Sequence, residues 1–331
     1  MMPKFYWTPL HTRLHKTLKL RKSLLPTGSK VLVAVSGGQD SLCLGKLLLD
    51  LSSKWHWQLA IAHCDHQWST DAGIARRVAE VTDFWQIPFY LKVANNLKET
   101  EAAARRWRYQ ALVEIAEEIG FEYIVTGHTK SDRAETLLYN LIRGAGADGL
   151  AALDWKRPLT KTIFLVRPIL DVYRHETLAF CQQFDLPIWF DAVNNNHKYA
   201  RNRIRSNLIP YLQQNFNPQV EKSLAQTAEL LKSDVEYLET VASKLLQTVR
   251  ENNKLNRQLL KDAPLSLRRR AIRQFLPLVM SKQANYEQIE EVIKLVDAPN
   301  KSRTSTLPGG AIAEVTGKWI VFSSSAITIK H

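Results

Sequence analysis

Apolar runs, and the period at which polar residues interrupt them, divide the chain into two regimes. Val31-Leu32-Val33-Ala34-Val35 is a continuous, largely β-branched run, which predicts a strand buried on both faces. After a short polar turn, Leu42, Leu44, Leu47, Leu48 and Leu51 recur at helix period. The same switch repeats down the first two thirds of the chain. Strands are predicted at 57–63, 88–93, 122–126 and 163–166, alternating with helices at 71–86, 99–119, 131–143 and 173–184. Such alternation predicts an α/β fold: a doubly wound, mostly parallel, five-stranded sheet with ligands at the carboxyl ends of its strands. Ahead of it, Leu10, Leu14 and Leu18 sit at helical spacing behind Thr8-Pro9, predicting a basic helix over 9–25. From Asn217 onward the alternation stops. Leu224, Leu230, Leu231, Leu238 and Val241 predict a long helix to about Val249, followed by helices over 264–276 and 286–296. A short β hairpin over 311–315 and 319–322, turning at Thr316-Gly317, closes the pattern. Two domains are therefore expected, 1–215 and 216–331, the second mainly helical.

Composition adds charge to this outline. With 45% hydrophobic and 23% charged residues among 331, the chain is an ordinary globular protein. No apolar run approaches the roughly 18 residues of a membrane span, and the N-terminus has no signal-peptide core, so no membrane partner is expected. Three widely spaced cysteines, Cys43, Cys64 and Cys181, fit a reduced, cytoplasmic setting. The formal net charge is +13, and residues 201–331 carry 20 basic against 12 acidic side chains. A polyanion, nucleic acid ahead of membrane, is the natural partner.

The chemistry concentrates at predicted strand ends. Ser36-Gly37-Gly38-Gln39-Asp40-Ser41 joins the first strand to its helix. Adjacent glycines permit a tight turn and close backbone approach, and a helix N-terminus presents unpaired N–H groups and a positive dipole end to an anion. No Lys-Ser/Thr pair follows, which excludes a Walker loop. Asp40 inside a phosphate cradle makes sense if Mg²⁺ lies between carboxylate and phosphates; the plain alternative is a βα turn with a surface acid. The pattern resembles the pyrophosphate loop of the ATP-pyrophosphatase superfamily, whose members cut ATP between the α and β phosphates.

Other motifs carry two readings each. His63-Cys64-Asp65-His66 ends the second strand without a common zinc spacing, so a polar strand end or an adenosine contact is expected. Glu101, Arg105, Arg108 and Tyr109 share a helix face, as a stabilising i,i+4 pair or as an arginine surface for phosphate. Gly127-His128 ends the fourth strand, and Asp132 and Glu135 follow on one face of the next helix. Thr129 with Asp132 spells a capping box, but two carboxylates opposite Asp40 suit a metal or a substrate amine. Gly144, Gly146 and Gly149 match G-x-G-x-x-G behind a helix rather than a strand, so they read as a helix stop. Asp191 and Asn194-Asn195-Asn196 mark an irregular loop. Arg143, Arg201, Arg203 and Arg205, and the Arg268-Arg269-Arg270 run, are solvated basic faces or RNA contacts.

Taken together these residues resemble the tRNA(Ile)-lysidine synthases over nearly the whole chain. The match rests on the 36–41 loop, Glu101-x-x-Ala104-Arg105-x-x-Arg108-Tyr109, Gly127-His128-x-x-x-Asp132-x-x-Glu135-Thr136, Arg143-Gly144-Ala145-Gly146 and Arg201-Asn202-x-Ile204-Arg205. Gln67-Trp68-Ser69 departs from the family pattern. The resemblance implies an adenine nucleotide alpha hydrolase-like fold and ATP with Mg²⁺ as cofactors. It implies a base adenylated on the wobble cytidine of an isoleucine tRNA with a CAU anticodon, then attack by L-lysine to give lysidine, AMP and pyrophosphate. Asp40, Asp132 and Glu135 would be catalytic, Asp40 facing the metal. Ser36, Gly37, Gly38, Gln39, Asp40, Ser41, His63, Gly127 and His128 would hold the nucleotide. Glu101, Arg105, Arg108, Arg143, Arg201, Arg205, Arg268 and Arg270 would meet substrate or tRNA. A PP-loop tRNA thiolase, or a non-catalytic RNA-binding protein, is the alternative, although no Cys-x-x-Cys is present. Whether the chain forms a homodimer is left open.

Overall fold

The computed structural model describes residues 6–68, 72–151, 153–189, 200–280 and 283–324. Ser69, Asp191 and the Asn194–Asn196 run lie outside the described residues. The chain divides into two compact units, Met1–Lys232 and Ser233–His331.

In the first unit, helix α1 (Pro9–Leu20) buries Leu10, Leu14 and Leu18, its first turn closed by Thr8. Strand β1 (Lys30–Ala34) feeds α2 (Gln39–Trp55), and β2 (Gln58–Asp65) feeds α3 (Ile74–Phe84). Next come β3 (Phe89–Val93) with α4 (Glu101–Glu118), and β4 (Tyr123–Thr126) with α5 (Lys130–Ile142). After the short α6 (Ala147–Leu150), β5 (Lys156–Pro158) and β6 (Phe164–Val166) lead to α7 (Arg174–Gln183). The sheet order is β3-β2-β1-β4-β6-β5. All five expected strands pair in parallel. β5 is an additional edge strand, antiparallel to β6, too short and polar to show a period; its Pro158 suits an edge, where no ladder donor is lost.

Alternate residues of β1 serve different layers, as burial on both faces requires. Val31, Val33 and Val35 join a core with α1, α2 and α7, whereas Leu32 packs with Leu112, Ile115 and Ile124 on the other side. Chain order runs from β1 outward to β2 and β3 in one direction and to β4 and β6 in the other. The ends of β1 and β4 thus flank the switch point, where a crevice opens above the sheet. Gly144 adopts φ 72° just past α5, and Gly146 caps α6, so the glycine motif is a helix stop.

Helix α8 (Ala200–Arg203), a π turn over Ile204–Leu208 and α9 (Ile209–Asn215) precede the 30-residue α10 (Val220–Val249). The unit boundary falls inside α10 rather than at 215/216. Leu224 packs with Leu138, Ile204 and Ile209, and Glu229 accepts hydrogen bonds from Arg21, Arg133 and Trp155. A pattern that tracks helix period does not register where one helix changes partners.

The second unit adds a short α11 (Arg257–Lys261) that the period did not predict, and places α12 (Leu265–Phe275) and α13 (Tyr286–Lys294) where it did. The expected hairpin is β9 (Ala311–Thr316) with β10 (Trp319–Ser324), but it belongs to a larger antiparallel sheet. Strands β7 (Arg250–Glu251) and β8 (Lys254–Asn256) complete the order β7-β8-β10-β9. Ile272, Phe275, Val292, Ile320 and Phe322 form the core, Phe275 meeting Phe322 edge-on at 5.0 Å. Among the described residues no helix is long and apolar enough to cross a membrane.

Candidate active site

The turn after β1 is built to keep its shape without a side-chain cap. Gly37 takes φ 85°, and a Cβ there would come within 2.8 Å of Ile74. Gly38 is the N-cap of α2 and no side chain caps it, which leaves that end of the helix facing the crevice with its dipole. Ser41 Oγ accepts from the Ser36 amide at 3.1 Å and donates to the Gly38 carbonyl at 2.8 Å, closing the turn on itself. The end of β4 lies directly against it: a Cβ on Gly127 would sit 2.6 Å from the Asp40 carbonyl oxygen and 2.9 Å from the Ser41 nitrogen. Buried His63, at the end of β2, holds the turn from the other side, its Nδ1 2.7 Å from the Val35 carbonyl oxygen. Gln39, also expected to meet the nucleotide, is engaged elsewhere. Its side chain turns to α7 and donates to the Arg174 carbonyl at 2.7 Å.

Above the turn the three expected acids meet, and Arg174 joins them. Its Nε lies 3.1 Å from Asp40, Nη2 2.6 Å from Asp132 and Nη1 3.1 Å from Glu135. Arg205 forks onto Glu135, at 2.7 and 2.8 Å to its two oxygens, and comes within 3.9 Å of Asp132. Thr177, fully buried, donates to Asp40. Asp132 also performs its capping role, accepting from the Thr129 amide and hydroxyl at 2.8 and 2.7 Å. The capping reading of that motif holds, and the second carboxylate oxygen is left to meet Arg174.

The electrostatics follow from this packing. Burial pushes the Asp40 carboxyl up, and Asp132 adds to the push, although Arg174 opposes both. Burial also works against charge on Asp132, but Arg174 and the Thr129 hydrogen bonds outweigh it and hold the group below the usual carboxylate range. For Arg174, burial is overcome by Asp132, Asp40 and Glu135, which raise its pKa. His128, half-buried with Nδ1 2.8 Å from Thr126 Oγ1, is held neutral: its low-dielectric surroundings and Arg167 both depress its pKa.

The other expected residues of the first unit fall into three groups, while Arg268 and Arg270 belong to the second unit. Arg105 lies 5.1 Å over the Tyr109 ring, with Arg157 also at 5.1 Å. Arg108 reaches His66 at 3.3 Å, and the His66 ring lies 5.1 Å from Trp68, tilted by 30°, so the departure at 67–68 builds an aromatic contact. Arg143 and Arg201 both lie over the Tyr139 ring, and Arg201 pairs with Glu101 at 3.0 Å. Arg268 and Arg270 do not join an exposed basic face. Arg268 donates to the Ala263 and Lys261 carbonyls, and Arg270 pairs with Glu239, because acids and chain ends of the same unit lie beside that helix.

Sequence reasoning missed Arg174, Thr177 and Arg167. Arg174 opens the helix after the fifth parallel strand, at a carboxyl end of the sheet, and that position was the available signal. Arg167 is buried behind β6 and donates to the Asp154 carbonyl at 2.6 Å; nothing in the apolar pattern singles it out.

A Mg²⁺ ion fits this donor set in one way. Among the described residues no three metal-ligating side chains gather into a cage. An ion held chiefly by nucleotide phosphates and one carboxylate, that of Asp40, matches magnesium's habits. The cysteines offer no thiolate chemistry: burial pushes Cys64 up to about 11 and Cys181 to about 12, and Cys43 is raised too.

Comparisons with known proteins agree with this geometry. A family model described as a PP-loop domain matches residues 9–212. A U34-tRNA thiolase from Methanococcus maripaludis superposes with a TM-score of 0.57 at 18% identity, over 68% of this chain and 78% of that one, a likeness of fold. The class is thus the PP-loop proteins. A tRNA(Ile)-lysidine synthase from Nostoc sp. is 54% identical over 332 residues, 95% of this chain and 97% of the relative. Another, from Synechocystis sp., is 52% identical over 322 residues, again 95% and 97%. The chain belongs to the tRNA(Ile)-lysidine synthase family.

Proposed function

We propose that this chain ligates L-lysine to the wobble cytidine of an isoleucine tRNA with a CAU anticodon, consuming ATP and releasing AMP and pyrophosphate. The observation that carries the reading is the acid cluster beside the phosphate turn, in a chain so similar to lysidine synthases over its length. Three carboxylates face two guanidiniums at this centre, an acid excess of one among these five side chains. A lysine ammonium supplies the missing positive charge.

The residues divide the work as follows. Backbone N–H groups at the start of α2 receive the nucleotide's phosphates, with the helix dipole favouring the charge that develops on departing pyrophosphate. Magnesium, held by those phosphates and Asp40, would neutralise that charge further. The base's 2-carbonyl oxygen, a poor leaving group, departs readily once it carries AMP. Asp132 and Glu135 hold the incoming ammonium and orient it on the activated carbon; one of its protons leaves first, and the freed lone pair forms the C–N bond as the C–O bond to AMP breaks. His128, neutral, donates or accepts a hydrogen bond at the base without adding charge. The target base must leave its stack to enter the crevice, as single-stranded loops allow.

The test is incubation with ATP, labelled lysine and a panel of tRNAs. Label on the CAU isoleucine tRNA, dependent on ATP, is expected; transfer to none of the panel overturns the reading. Localisation in the cytoplasm accords with such a substrate.

A further inference from the structure

Beside the acid cluster lies a second concavity that the reaction does not use. It is a groove of about 650 Å³ between α5 and the α8–α9 segment, entirely within the first unit. Ile142 and Ile204 give it apolar walls, Tyr139 and Tyr211 give it rings, and Arg143 and Arg203 stand among its lining. Tyr211 is 56% exposed and Ile142 66%, although neither residue type favours water. Arg143 donates to the Tyr139 hydroxyl at 2.6 Å, and Arg143 and Arg201 both lie over that ring, 5.2 and 5.4 Å from its centroid. Aromatic faces rimmed by guanidiniums are what a nucleobase and its phosphate require.

The groove is also placed for one particular nucleotide. Glu135 and Tyr139 lie four residues apart on one face of α5, about 6 Å along the axis. Arg205, which grips Glu135, belongs to the same short segment as Arg203 and Ile204. A base held at the acid cluster therefore leaves its chain neighbour opposite Tyr139.

We propose that this groove is a stacking subsite for the nucleotide next to the target cytidine in the single-stranded anticodon loop. The proposal rests on the ligase reading above for the identity of the RNA. Charge complementarity favours RNA over a second copy of the chain, because Arg143, Arg201 and Arg203 crowd an apolar surface in a protein of net charge +13.

The experiment uses the full-length chain and a CAU isoleucine tRNA in which a fluorescent adenine analogue replaces the anticodon adenine beside the target cytidine. Stacking quenches the probe when wild type binds. Tyr139→Leu and Tyr211→Leu relieve the quench and raise the KM for tRNA roughly tenfold, with no rise in the KM for ATP. Tyr139→Phe, which keeps the ring, retains the quench. Should Tyr139→Leu fail to fold, Tyr211→Leu at its exposed position carries the test. Lysine transfer by wild type with no quench, or with an unaltered KM for tRNA in both leucine variants, overturns the subsite and leaves the ligase reading standing. No lysine transfer by wild type overturns the ligase reading, while the quench still scores the groove. Leucine variants that change the sedimenting mass but not RNA binding assign the groove to a second copy and overturn the proposal.

Discussion

Two regions of this chain are equally dense in charge and use it differently. At the acid cluster, Asp40 from α2, Asp132 and Glu135 from α5, Arg174 from α7 and Arg205 from the π turn converge from elements far apart in sequence. On α12, four arginines in six residues each find a partner inside their own unit: Arg268 on backbone carbonyls, Arg269 on Glu290, Arg270 and Arg273 on Glu239. The first arrangement concentrates like charges where burial makes them costly and leaves the sum unbalanced. The second neutralises a basic run with nearby acids. Charge density along the sequence thus says little about function; a surplus that the fold itself leaves unbalanced says a great deal.

Breaking the first region should have the larger effects. Asp40→Asn keeps the side chain's size but turns one of its two acceptors into a donor and removes the charge proposed to face the phosphates, and AMP formation should fall by roughly hundredfold or more. Pyrophosphate release measures it, with melting temperature as the control for folding; near-wild-type turnover would remove Asp40 from the chemistry. Arg174→Ala leaves three clustered carboxylates without their shared cation. The loss should be about 3–5 kcal/mol in urea unfolding at neutral pH, as for breaking a buried ion pair. It should shrink on acidification as the carboxyls protonate, and a loss independent of pH would contradict the electrostatic account.

His128 sharpens the comparison by pH. Its folded pKa is depressed, so its neutral form contributes stability in full above the unfolded value of about 6.5. As pH falls below that, the unfolded chain takes up a proton that the folded site resists, and stability declines by up to about 1.4 kcal/mol per pH unit. His128→Asn should flatten this acid limb between about pH 6.5 and 5; an unchanged slope would show that the imidazole ionises as readily folded as unfolded. Arg268→Ala with Arg270→Ala tests the other region. Stability should fall by an amount between the surface value of under about 1 kcal/mol and the buried-pair value of about 3–5. The salt dependence of RNA binding should stay the same, whereas a shallower slope would return these arginines to the RNA surface.

The parallel sheet and the phosphate turn were legible because both are local. A buried strand, two glycines and a helix period lie within about twenty residues, and each acts through its own backbone. The three acids were legible as candidates because each sits just after a strand end. Arg174 was not: it is one of 45 Lys and Arg residues, and only the folded sheet brings α7 against α2 and α5. The engagement of Arg268 and Arg270 was illegible for the converse reason, since Glu239 approaches from a helix some thirty residues earlier. β5 escaped because two basic residues and a proline carry no period.

The bare Gly127 backbone pressed against the Asp40 carbonyl has a mechanical corollary. With no side chain between them to act as a cushion, the 36–41 turn cannot shift without carrying along the strand end that bears His128 and, through Thr129, Asp132. Under the proposed function, loading the nucleotide and aligning Asp132 would then be one displacement. A single methyl group inserted at that seam would uncouple them.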